Sequence, residues 1–119
     1  MIGKDNECYL CGRTTPLHLH HIFFGTANRK KSDKYGLTCK LCLYCHTEGK
    51  NAVHRNAETN IYLRKMGQRY AMIELDWDIE KFRKEIGRNY LEEMELEYIE
   101  DMQAQMLEDY MEKEYGNEY

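Results

Sequence analysis

All five cysteines and all five histidines of this 119-residue chain fall within its first 54 residues. Cys8-Tyr9-Leu10-Cys11-Gly12 reads as a knuckle, two thiolates on a tight turn with Gly12 permitting the backbone reversal. Cys42-Leu43-Tyr44-Cys45 repeats the spacing. Two such pairs supply the closed tetrahedron of thiolates that a structural zinc ion takes. Metal binding would also stabilise a head that can bury little apolar surface. An odd number of cysteines and no secretion signal make paired disulfides the weaker reading; reduced cysteines without metal are the other alternative. Cys39-x2-Cys42 competes as the second pair. Cys39, however, shares an apolar strand face with Leu37 and Leu41 and reads as a buried thiol.

The histidines offer a different chemistry. His20 and His21 are adjacent near the end of a strand, where neighbouring side chains point to opposite faces. One can therefore bind a metal while the other holds a water across a scissile phosphate, provided the strand bends there. His46 follows Cys45 directly. Consecutive residues at a turn into a helix diverge, so Cys45 can face a zinc ion while His46 faces His20. His54, on the helix that follows, can approach the same point. His20, His46 and His54 would then form one metal site with open positions. The alternatives are that His46 replaces a cysteine on the zinc, and that His54 is a solvated helix histidine. His18 lies on the same strand face as His20 and reads as structural.

The elements that must position these groups follow from periodicity. Leu17 to Phe24 reads as a strand, with Leu17, Leu19 and His21 alternating against His18, His20 and Ile22. Gly25 to Asp33 reads as a polar, basic loop, and Tyr35 to Leu41 as a second strand. A helix is expected from Asn51 or Ala52 to about Leu75, with Val53, Ala57, Ile61 and Leu63 on its core face. Asp76 or Asp78 would cap the next helix, which carries Ile79, Phe82 and Ile86 and ends at Gly87. From Tyr90 to about Tyr115 a long acidic helix is expected, striped by Leu91, Met94, Tyr98, Met102, Met106 and Tyr110. The fold class is α+β: a small zinc-stabilised β-hairpin and helix, then further helices. Residues 1–75 form the core and residues 76–119 a helical extension packing on that core or on a partner.

Charge divides the chain in the same way. The net charge is −4, yet residues 1–70 carry 12 Lys and Arg against 5 Asp and Glu, a net of +7, while residues 71–119 carry 5 against 16, a net of −11. The basic head is where phosphate would be attracted. Arg29, Lys30, Lys31 and Lys34 in the loop, and Arg55 ahead of Arg64, Lys65 and Arg69, are the candidate contacts; a solvated face is the plain alternative. The acidic tail either packs its stripe on the helical layer or on a second tail to make a homodimer, covers the basic head as a DNA mimic, or frays in solvent. No apolar run approaches the ~20 residues of a membrane span, and the N-terminus lacks a signal peptide, so a cytoplasmic protein with no membrane partner is expected.

Taken in order, Cys8-x2-Cys11-Gly12, His20-His21-Ile22 and Leu41-Cys42-x2-Cys45-His46 resemble the HNH endonucleases, also described as His-Me finger or ββα-metal nucleases. More narrowly, the chain resembles phage-type HNH-like proteins, including relatives of recombination-enhancement nucleases. The stretches 24–30, 35–37, 52–56 and 86–91 carry the likeness further, over roughly residues 8–91. The resemblance implies a treble-clef-like ββα-metal finger and a phage- or prophage-encoded enzyme that hydrolyses phosphodiester bonds of duplex or branched DNA. It implies a structural Zn2+ and a catalytic divalent ion, Mg2+, Mn2+, Ni2+ or Zn2+. By position, His20 and His46 are ligands of that ion, His54 a further one, and His21 the general base. The family's middle asparagine has no counterpart in Asp33-Lys34-Tyr35-Gly36-Leu37, leaving Asn28, Asn56 or a backbone carbonyl to orient His21. The rival classes are a non-catalytic zinc module that binds nucleic acid or protein, and an interaction or inhibitor protein built around the acidic tail.

Overall fold

The computed structural model describes residues 1–115, apart from the side chain of Tyr115. It is a small α+β protein, a two-stranded sheet surrounded by helices. Strand β1 (Leu17–His21) pairs antiparallel with β2 (Thr38–Cys42), with Leu17 opposite Cys42 and His20 opposite Cys39. The histidine side of β1 is the buried one: His20 is 2% exposed and Leu19 42%. The ladder ends at His21, sooner than the alternation suggests, with one more backbone bond from Ile22 N to Leu37 O at 3.0 Å, after which Ile22 and Phe23 are both buried. Two consecutive buried side chains cannot share one strand face.

The strands are not joined by a hairpin loop. The segment expected to be a loop is helix α1 (Thr26–Tyr35). Only Ser32 is buried within it, so it carries no apolar stripe for periodicity to detect. Its anchors are polar. The Ser32 hydroxyl donates to Phe23 O at 2.7 Å and accepts from Phe23 N at 3.0 Å, and the Asn28 amide donates to Ile86 O at 3.1 Å. Gly36, at φ +69°, ends the helix in the left-handed conformation that glycine adopts without penalty. Tyr35 therefore closes α1, packing edge-on against Trp77, and the second strand starts three residues later than expected.

After β2 comes a single π-type turn, Tyr44–Glu48, and then an irregular segment pinned by Val53 N to Cys45 O at 2.9 Å. Helix α2 (Ala57–Ile73) starts later than the sequence suggests because Asn56 caps it, its side chain accepting from Thr59 N at 3.0 Å. His54 consequently lies before the helix, not on it. Val53 is buried from this turn, and Ile61 is turned outward. The inward face of α2 is Leu63, Gly67, Gln68, Ala71 and Met72.

Asp78 caps helix α3 (Ile79–Glu85), accepting from Lys81 N at 2.7 Å. Phe82 and Ile86, with Trp77, join the core around Ile22, Phe23 and Leu63. Helix α4 (Glu93–Tyr115) rests on the body through Leu96 and Ile99, which pack near Met72 and Leu91. Gln103 completes the contact by donating to Met72 O and Trp77 O, and Arg69 pairs with Glu95. The expected stripe does not provide this face. Leu91 is buried, but Met94 and Tyr98 are 82% and 69% exposed, and Met106 and Tyr110 are exposed as well. The packed residues are one step round the helix. Beyond Gln103 every described side chain of α4 is exposed, and the molecule measures 61 Å along its longest axis. Among the described residues no helix is long and apolar enough to cross a membrane.

Gly67 gives a direct test of the core. A Cβ there would lie 2.9 Å from both Ile22 Cγ2 and Phe23 Cε2. Helix propensity alone favours Ala by ~1 kcal/mol, but overpacking a filled core costs ~1–3 kcal/mol. Gly67→Ala is expected to lower the urea unfolding midpoint; a raised midpoint would mean that the core yields at this point.

Candidate functional site

The sulfurs of Cys8, Cys11, Cys42 and Cys45 lie within 4.8 Å of one another. Gly12, at φ +81°, turns the first knuckle, with its N–H on Cys8 O at 2.9 Å. Tyr9 N donates to Lys40 O at 2.8 Å and fastens that knuckle to β2. Cys42 ends β2, and the Cys45 N–H donates to its sulfur at 3.4 Å. The Cys11 and Cys42 sulfurs are 3.6 Å apart, close to the ~3.8 Å expected of two thiolates each ~2.3 Å from one tetrahedral zinc. Burial alone would raise the Cys42 thiol, but the Cys45 N–H and the neighbouring thiols bring it down to about 6, while burial and those same neighbours hold the Cys45 thiol well above its ordinary value, so that without an ion the four share few negative charges. Cys39 is fully buried on the core side, and burial pushes its thiol up to about 12. It stands outside the cluster. These four cysteines could hold a structural metal ion such as zinc.

One residue on from Cys45, the chain enters a second cluster. Ring nitrogens of His20, His46 and His54 also lie within 4.8 Å of one another. The Nε2 atoms of His46 and His54 are 3.0 Å apart, the separation of two nitrogens ~2.1 Å from a common ion and at right angles about it. His20 Nε2 is buried and has no hydrogen-bond partner. Leaving such an atom unsatisfied costs ~1–3 kcal/mol, and a cation at the centre of the three rings would take its lone pair. Burial, followed by the neighbouring imidazoles, holds His20 down to about 3 and His46 down to about 4. Both rings are therefore neutral, as ligands must be. His46 belongs to this cluster and not to the cysteines.

His18, read from sequence as structural, has a defined place. Its Nδ1 is 3.1 Å from His46 Nδ1, which fixes the His46 ring with Nε2 toward His54. Such outer partners orient ligating imidazoles. The signal was present in the alternation that puts His18 and His20 on one strand face.

His21 points the other way. Its Nε2 lies 3.3 Å from Asp33 Oδ1 on α1, and among the described residues Nδ1 has no partner. Neither candidate asparagine takes this role: Asn28 is held by Ile86 O and Asn56 caps α2. An open groove of about 720 Å³ runs past His21, Asp33, Phe24, Gly25, Thr26, Arg29 and Lys30. A smaller cavity of about 170 Å³ holds His20, His46 and His54 and shares His21, Phe24 and Arg29 with the groove. Of the basic residues expected to face phosphate, Arg29 and Lys30 line this groove. Lys31 pairs with Glu85 at 3.7 Å, Lys34 lies over the Tyr35 ring, and Arg55 donates to Glu48 O. Comparison with protein-family models, curated proteins and solved structures gives no match.

The depressed histidines predict how stability depends on pH when no ion lies among the three imidazoles. Their folded values lie below the ~6.5 of an unfolded imidazole, so unfolding takes up protons below that pH. Their contribution is fully present above pH ~6.5 and is lost as pH falls. The urea midpoint should drop between pH 7 and pH 5, and drop less in His46→Gln. A midpoint flat over this range would contradict the buried neutral cluster.

Proposed function

We propose that this chain is a metal-dependent endonuclease of the HNH type, hydrolysing phosphodiester bonds of DNA. The observation that carries the reading is the placement of the His20 ring, 5.3 and 5.2 Å from those of His46 and His54, with its Nε2 buried and without a partner, on the opposite strand face from His21. In this reading β1, β2 and the segment after Cys45 form a treble-clef-like ββα-metal finger closed by zinc on the four cysteines.

His20, His46 and His54 hold a divalent ion, Mg2+, Mn2+, Ni2+ or Zn2+. Bound there, such an ion stabilises charge developing on the phosphate and on the leaving 3′ oxygen. His21 Nε2 carries its proton toward Asp33, which leaves the Nδ1 lone pair to take a proton from the attacking water. Asp33 thus fills the role of the absent asparagine by fixing the tautomer and the ring plane. Arg29 and Lys30 hold the strand along the groove through its phosphates. The exposed Met and Tyr residues of α4 are the surface through which a second copy would pair.

Purified protein with Mg2+, Mn2+, Ni2+ or Zn2+ is expected to nick or linearise supercoiled plasmid. His21→Ala should lose ~10²-fold or more of that rate while keeping its zinc. Asp33→Ala should lose less, through kcat with KM little changed, and Asp33→Asn should recover part of it. Equal cleavage by wild type and His21→Ala would sink the mechanism. Silence of the wild type on plasmid, branched and single-stranded DNA would leave a nucleic-acid- or protein-binding zinc module as the better reading.

A further inference from the structure

Two arginines outside the groove are stacked on aromatic rings and lack a counter-charge. The Arg64 guanidinium, on α2, lies 4.7 Å from the ring centre of Phe24 and 5.6 Å from that of Tyr90. Its Nη1 donates to Tyr90 Oη at 3.0 Å, while its Nε is buried and unpartnered. Arg88, after the end of α3, stacks on Tyr90 at 5.1 Å. Among the described residues neither arginine forms an ion pair with a carboxylate. Arg69, one helical turn and a little more along α2, is bound to Glu95 and serves the fold. The contrast separates a structural arginine from two cations held ready.

Their position ties them to the histidine cluster. Phe24 packs on His54 with ring centres 5.2 Å apart and lines both the groove and the smaller cavity. Phe23, in the core, holds the Tyr90 ring at 5.8 Å. The order Phe24, Arg64, Tyr90, Arg88 therefore leads away from the cluster as a strip of alternating rings and guanidiniums. Phe24 also lines the groove to which Arg29 and Lys30 contribute. With 5.6 and 5.1 Å to one ring centre, Arg64 and Arg88 can be no more than 10.7 Å apart, close enough to serve neighbouring phosphates of one strand.

We propose that Arg64 and Arg88, stacked on Phe24 and Tyr90, form a second backbone-binding arm for a nucleic-acid strand, in addition to the arm made by Arg29 and Lys30. The inference rests on the nuclease reading for its ligand. Stacking restricts each guanidinium before binding, so less side-chain entropy is lost when it meets phosphate. It also places cations against these rings, so the arm grips backbone instead of stacking bases. Binding through it is independent of sequence.

The test is fluorescence anisotropy with labelled DNA duplexes of two unrelated sequences, over a range of salt, on a His21→Ala background so that the strand stays intact. Arg88 is exposed, so Arg88→Gln folds whatever befalls the half-buried Arg64 in Arg64→Gln. Each variant is expected to weaken both duplexes by the same factor and to flatten the slope of log K against log salt by ~0.9 for each phosphate no longer neutralised. Lys113→Gln, on the far half of α4, should change neither. Affinity and slope unchanged in Arg88→Gln, or weakening confined to one sequence, would overturn the proposal. Cleavage by wild type alongside an unchanged Arg88→Gln slope would sink the arm alone. The expected slope changes in a protein that never cleaves would sink the nuclease reading and leave the arm standing. Absence of DNA binding would end both.

Discussion

Cys45 and His46 are joined by one peptide bond and face different clusters. That adjacency is the constraint on which the rest of the molecule depends. The paired strands are five residues each, too little sheet to stand without support. Thiolates gathered on one ion would tie the end of β2 to the N-terminal knuckle. Once Cys45 is so fixed, His46 has little freedom. Its backbone carbonyl takes the His54 N–H at 3.2 Å and its ring meets both His18 and His54. A site assembled from a strand, a turn and an irregular segment thereby acquires rigidity that none of these pieces has alone.

The polar interior has a matching logic. His20 is nearly as buried as Leu37, yet its Nε2 is left without a partner. An apolar residue at this position would pack at no such cost, so stability alone does not explain the choice. Apolar packing instead surrounds the cluster, with Phe24 covering both His54 and His20. Helix α1 is fastened by the Ser32 hydroxyl and the Asn28 amide. Its exposed side is left for Arg29, Lys30 and Asp33, which line the groove.

Several features are legible in the sequence because they are local. The two Cys-x2-Cys pairs, a cap of α3 at one of two aspartates (Asp76 or Asp78), and the burial of Leu37, Cys39 and Leu41 follow from spacing, side-chain chemistry or alternation within a few residues. The three histidines of the second cluster are also legible as a set, through divergence at the Cys45-His46 turn. Others are hidden. Helix α1 has no apolar stripe, so it reads as loop. Asn56 escapes notice as a cap because Val53 suggests an earlier helix start. The α4 stripe misleads because an acidic helix with regular Met and Tyr looks amphipathic whichever side it rests on.

Residue types and their spacing mark which groups can do chemistry: four thiols at matched spacing, a histidine pair on a strand, and a basic head set against an acidic tail. These are properties of residue type and short-range geometry. Tertiary structure decided the partners. It brought Asp33 across from α1 to His21, His18 to His46, and Arg64 to Phe24 and Tyr90. The members of each pair are at least 12 residues apart and belong to different elements, so each pair depends on how strand, turn and helices come together. No periodicity within one element carries that information, because such packing is fixed by the shape of the whole core.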